Sequence, residues 1–260
     1  MVEVTQYVDV AQITLYVFWV FFAGLVIHLQ MESRREGFPL EEENGDIHGK
    51  SWLMTPSPKT FLMRHGHADI SVPNDDRDKR KVLGEPVMGM AGAAIRPASE
   101  NPMLDSIGSG SYAERANVPD LTFEGDVKIV PMRNAKDFSI AEGDTDPRGK
   151  RVVGCDSIIA GRVKDVWVDK AEQVIRYLEV DLEVGDEPGS VLVPFNFTLL
   201  RTPRDKEKVF YVHAITGEQF ANVPKTRKRT EITFLEEEKV MGYFGAGLLY
   251  ATPRRQESVI

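Results

Sequence analysis

Arg176 is the residue from which chemistry can first be argued. The run from Val174 to Leu182 alternates as a strand does, with Leu178, Val180 and Leu182 on one face, and the same parity assigns Arg176 to that apolar face. A guanidinium there needs a carboxylate, and Asp169 and Glu172, just upstream, are the nearest in sequence. Burial and pairing move carboxylate pKa values in opposite directions, so such a cluster either ties the fold together or holds and passes protons. On the residues alone, the expectation is a structural ion pair.

Other motifs are weaker. His65-Gly66-His67 would put two potential metal ligands on one face of a strand, but no Cys or Asp/Glu pattern lies nearby, so it reads as a polar turn with no metal site. There is no Gly-rich phosphate loop, CxxC pair, nucleophile elbow or HExxH, and no catalytic site is expected in the chain.

The elements that must position Arg176 and its partners follow Gly149. Short β-rich runs at 151–154, 158–163, 166–168, 174–182, 191–193 and 209–212 are separated by turns at 185–189 and 203–206, which suggests a small closed barrel over about 150–225. Residues 230–243 read as a helix, with Glu236, Glu237 and Glu238 in its first turns and Gly245 and Gly247 as its stop.

The N-terminal part is of another kind. Residues 11–30 are continuously apolar and contain no Asp, Glu, Lys or Arg; at a rise of about 1.5 Å per residue they span about 30 Å, the hydrocarbon thickness of a bilayer. Tyr16, Phe18, Trp19, Phe21 and Phe22 leave no polar face for water, which argues against a buried soluble helix. A cleaved signal peptide would need a basic lead and a small-residue cleavage site, and neither is present. Glu3 and Asp9 precede the span and Arg34 and Arg35 follow it, so residues 1–10 are expected outside and the remainder in the cytoplasm. Trp19, His28, Arg34, Arg35 and Phe38 are the candidate membrane-interface residues, with Gly37 and Pro39 stopping the helix.

In a chain of 260 residues this leaves an extended segment over 31–119, which reads as a linker lying along a partner, and a globular domain over 120–260. A net charge of −8, from 32 basic and 40 acidic residues, argues against nucleic acid or anionic lipid as the main partner of the soluble part. Cys155 is the single cysteine, in keeping with a reducing compartment.

The stretch from Ala11 to Leu40, ending Arg34-Arg35-Glu36-Gly37-Phe38-Pro39-Leu40, resembles the H-subunit family of purple-bacterial photosynthetic reaction centres, with Phe38 in place of a tyrosine. Residues 58–62, Asn101-Pro102-Met103, Tyr112-Ala113-Glu114-Arg115, 121–132, 137–149 and 235–251 are similar to further landmarks of that family, and the resemblance fails mainly between 64 and 98. It implies a single transmembrane helix followed by a mainly β cytoplasmic domain, the PRC-barrel, with a C-terminal helix.

By that resemblance Glu172 falls on a glutamate that takes part in proton uptake to the secondary quinone. Asp169 and Arg176 match its neighbours, and Lys128, Glu231 and Glu237 match other ionisable positions of the same approach. Glu124 and Asp126 stand where some relatives carry a histidine pair, and join the proton-transfer candidates as carboxylates. The resemblance also implies a bacterial inner, intracytoplasmic, membrane location with the L and M core subunits as partners. Antenna-ring polypeptides, a cytochrome subunit and membrane lipids are further candidates. Bacteriochlorophyll, bacteriopheophytin, quinones, non-haem iron and a carotenoid are expected in the complex, and none in this chain alone. A membrane-anchored PRC-barrel adaptor that recruits a cytoplasmic protein is the alternative.

Overall fold

A computed structural model of the chain describes residues 9–38, 40–41, 47–48, 55–74, 76, 78–89, 93–185, 189–203 and 207–256. It divides into two compact units, residues 1–79 and 80–260.

In the first unit, helix α1 (Val10–Glu32) begins at Asp9, whose carboxylate accepts from the Ala11 N–H at 2.9 Å. Among the described residues it is the one helix long and apolar enough to cross a membrane, and none of its residues is buried. It stops before Gly37: the Ser33 N–H donates to Leu29 O at 2.9 Å and the Arg34 N–H to Met31 O at 3.1 Å, and Gly37 follows at φ +73. Pro39 lies outside the described residues. Arg35 pairs with Glu32 at 2.7 Å and donates to the carbonyls of Ser57 and Val72 at 2.9 and 3.2 Å. These contacts tie the turn to a hairpin of β3 (Lys59–Phe61) and β4 (Ile70–Val72), which follows a short pair, β1 (Leu40–Glu41) and β2 (Ile47–His48). His65 and Gly66, both at positive φ, form the turn between β3 and β4, as expected of a polar turn.

The second unit opens with the hairpin β5 (Gly84–Pro86) and β6 (Ile95–Pro97). Two 3-10 turns follow, Pro102–Leu104 and Gly108–Gly110, and Met103, Ile107 and Gly110 in this region are buried. Residues 102–110 therefore pack with the domain that the sequence places from 120 onward. Their apolar anchors are too sparse to form a periodic signal.

The remaining strands are β7 (Ile129–Pro131), β8 (Arg151–Val153), β9 (Ile159–Asp169), β10 (Val174–Leu182), β11 (Ser190–Pro194), β12 (Thr198–Arg201) and β13 (Val209–Val212). Among the described residues they form one seven-stranded sheet in the order β11-β10-β9-β8-β13-β12, with β7 also pairing with β9; β8 and β13 are parallel and the other pairs antiparallel. The domain is mainly β with a C-terminal helix, as expected, but among the described residues the ladder has no pairing between β11 and β12 that would close it. Strand β9 is a single strand where two runs are expected, because Lys164 and Asp165 continue the ladder with β10 through a bulge. β7 and β12, three and four residues long, are strands that the sequence does not predict. Val166, Leu178, Val180, Val191, Val193 and Val212 are buried on the sheet, and full burial of each side chain is worth about 1.5–3 kcal/mol.

Helix α2 (Phe234–Tyr250) covers this core. It starts at a reciprocal cap: Thr233 accepts from the Glu236 N–H at 3.2 Å and the Glu236 carboxylate accepts from the Thr233 N–H at 2.9 Å. The helix lies later than the expected 230–243 and runs through Gly245 and Gly247. A Cβ on Gly245 would meet Ser109 O at 2.5 Å, and one on Gly247 would meet Ala214 O at 2.6 Å. These glycines permit close backbone approach inside the helix; they do not end it.

Candidate functional site

Three chain segments meet at the end of β9. Asp169 is its last residue, pairing with Val174 of β10 and Ile129 of β7. The turn that follows is shaped by Asp169 itself: its Oδ1 accepts from the N–H groups of Ala171 and Glu172 at 2.9 Å each, and its carbonyl accepts from Gln173 N–H at 2.8 Å. This turn fixes Glu172 above Asp169.

Arg176 does not lie on the apolar face that strand parity assigns to it. The β9–β10 register shifts between Ile175 and Tyr177, leaving Arg176 unpaired in a bulge with its side chain 40% exposed. From there Nη2 reaches Asp169 Oδ2 at 3.1 Å and Glu172 Oε2 at 3.2 Å, the two partners expected. Lys128, just before β7, completes the cluster, with its Nζ 3.3 Å from Asp120, 3.6 Å from Asp169 and 3.5 Å from Glu172. Burial works against the Lys128 ammonium, but the Asp120 hydrogen bond and the charges of Asp169, Asp120 and Glu172 outweigh it, and its pKa is raised. Asp169 is fully buried, whereas the Glu172 side chain is 54% exposed, so one carboxylate faces water and the other does not.

Glu237, in the first turn of α2, accepts from the buried Tyr177 hydroxyl at 2.9 Å. Burial raises its pKa; the Tyr177 hydrogen bond and the Arg176 charge pull in the other direction without overcoming that effect. Asp126 pairs with Lys170 at 3.3 Å and is 72% exposed, and Lys170 N–H donates to Lys128 O, so this carboxylate sits beside the cluster's strand. Glu124 is exposed in the tight turn Thr122–Gly125. Glu231 is bonded to Lys228 at 2.7 Å in the segment before α2, and none of its described contacts is with the Asp169 cluster.

Of the membrane-interface candidates, Trp19 lies well inside α1 and His28 in its last part, both exposed. Arg34 and Arg35 are in the turn after the helix, where the Arg34 guanidinium stacks 5.6 Å from the Phe38 ring centroid.

A second cluster has no counterpart in the sequence reading. Asp165 and Glu179 are directly opposed across β9 and β10, and both are buried. Arg133 Nη1 lies 2.8 Å from Asp165 and 2.6 Å from Glu179, and Trp167 Nε1–H donates to Glu179 at 3.0 Å. Tyr177 and Asp120 are likewise missing from the sequence reading. A charged residue flanked by Leu178 and Val180 is the one signal that could have pointed to Glu179; Arg133 and Asp165 require the register.

A model of the photosynthetic reaction centre H-chain N-terminal region matches residues 2–134, and a model of the PRC-barrel domain matches residues 140–219. Membership of the first family implies association with other reaction centre subunits, and together with the apolar α1 it makes the chain a membrane-associated subunit. Its first match covers half of the sequence and its second the strands that build the charged cluster, so this chain belongs to the photosynthetic reaction centre H-chain family.

Proposed function

We propose that this chain caps the cytoplasmic side of the L and M core subunits, stabilises the complex, and assists proton delivery to the secondary quinone in light-driven electron transport. In this reading the bacteriochlorophyll, bacteriopheophytin, quinones, iron and carotenoid are held by those subunits and supply the electron transfer, and the residues of this chain move protons. The observation that carries it is the pair formed by exposed Glu172 and buried Asp169, which share Lys128 and Arg176.

Glu172 can exchange a proton with water through its exposed side chain and pass it along hydrogen bonds, as a carboxylate does. Arg176 stays cationic and cannot relay a proton; it orients both carboxylates and balances their charge. Lys128, held as an ammonium by its neighbours, keeps the group electrically compensated in a partly buried setting. Asp126, with Glu124 nearby in the chain, would collect protons from the aqueous side.

The test is Glu172→Gln in the pigmented complex, which keeps the shape and removes the exchangeable carboxyl. Flash-induced transfer of the second electron to the quinone should slow by about tenfold or more across roughly pH 6 to 9, while primary charge separation is unchanged. Equal second-electron rates in mutant and wild type would reduce Glu172 to a structural partner of Arg176.

A further inference from the structure

The buried contact between Tyr177 and Glu237 is not part of the Asp169–Glu172 cluster, although Arg176 is common to both surroundings. Tyr177 directly follows the bulge and is paired with Trp167 on one side and Pro194 on the other, so its ring is fixed by two strands. Its hydroxyl has one proton to give and gives it to Glu237 Oε2 at 2.9 Å. Glu237 opens onto a cavity of about 600 Å³ that is also lined by Arg115, Arg176, Asn196 and Glu238. A half-buried carboxyl that is hydrogen-bonded on one side and faces a charged cavity on the other can take a proton from that cavity and return it.

We propose that Tyr177 is a positioning residue for Glu237, which the family resemblance already puts among the proton-transfer groups: it holds that carboxyl as a second station next to the Asp169–Glu172 cluster, electrostatically linked to it by Arg176. The inference rests on the proton-delivery reading above. Tyr177 is not itself a carrier: burial and the neighbouring Glu237 charge push its phenol far above the range in which it could ionise. Its hydrogen bond favours the ionised carboxylate, against the burial that favours the neutral acid. The other groups facing Glu237 are Arg176 on β10 and Arg115 and Asp120 on the preceding segment, with Glu238 beside it on α2; the two arginines favour ionisation and Asp120 opposes it. Glu237 is thus poised between opposing influences, and loss of the tyrosine hydroxyl tips it towards the protonated form.

The experiment is an infrared pH titration of the full chain in its complex, read at the carboxylic C=O band, with flash kinetics on the same samples. Glu237→Gln, which leaves Tyr177 in place, should remove one titrating band. Tyr177→Phe, which keeps the ring, should move the midpoint of that band up by about half to one pH unit and shift the pH profile of second-electron transfer in the same direction. A purely structural tyrosine would leave the midpoint unchanged, and that result would overturn the proposal, as would a Glu237→Gln spectrum with no band lost. If Glu237→Gln leaves the second-electron rate unchanged in a complex where Glu172→Gln slows it, the second station is refuted and the proton-delivery reading stands. If neither substitution slows it, both fail.

Discussion

Two carboxylates directly opposite one another on neighbouring strands repel, and burying them makes the repulsion worse. Asp165 and Glu179 are in that position, and the fold answers with Arg133, delivered from the turn after β7, whose Nη1 touches both. Burial opposes the guanidinium charge, but the bonds from Glu179 and Asp165 outweigh it and raise its pKa. Arg133→Ala would leave two buried anions, with Lys164 at 3.6 Å from Glu179 as a remaining cation. Because the Arg133 side chain is 38% exposed, the full cost of breaking a buried pair is discounted. The expected loss is about 2–4 kcal/mol in urea unfolding of the purified full-length chain. A loss below about 0.5 kcal/mol, the size of an ordinary surface substitution, would contradict this account.

Helix α2 shows how an element can be built against its own propensity. Gly242, Gly245 and Gly247 each cost about 1 kcal/mol in helix formation relative to Ala, yet all lie inside it. They face backbone at close range: Gly110 O, Ser109 O and Ala214 O are the nearest backbone atoms that an added Cβ would meet. Gly247→Ala would put that atom 2.5 Å from Ile215 Cγ2 and 2.6 Å from Ala214 O, and a carbonyl of the loop after β13 cannot yield as a side-chain end can. Overpacking of about 1–3 kcal/mol should exceed the propensity gain of about 1 kcal/mol. The variant is therefore expected to melt lower than wild type by thermal circular dichroism, and an unchanged or raised melting temperature would show that the helix can move away from the sheet.

At the scale of the whole molecule, the anchor and the cytoplasmic reading of the domain make one topological statement. The turn after α1 carries Arg34 and Arg35, and Asp9 stands at the other end. By the positive-inside bias, the orientation we propose has the N-terminus periplasmic and the residues after Arg34 cytoplasmic. Protease added to intact, right-side-out cells should then spare residues 80–260 and attack them once the cells are opened. Digestion in intact cells would reverse the orientation and remove the proton-delivery reading with it, since the cluster would face the wrong side.

Some of this was legible in the sequence because it is local. The α1 span needs only a continuous apolar run with no charges; the structure extends the expected 11–30 to Val10–Glu32, ended by hydrogen bonds that the Gly37 and Pro39 signals mark too late. Strand β10 has the expected bounds, and the partners of Arg176 lie within seven residues of it, so Asp169 and Glu172 could be named from proximity alone. What depends on pairing between distant segments was decided by the tertiary structure. A single bulge places Arg176 at a half-exposed rim, against the strand parity that puts it on the apolar face. Arg133 meets Asp165 and Glu179 across separations of 32 and 46 residues, and Tyr177 meets Glu237 across 60, distances over which residue types and periodicity carry no register. The glycines of α2 gave a stop signal by propensity and proved to be contact positions, because close backbone packing outweighs about 1 kcal/mol per residue of helix preference.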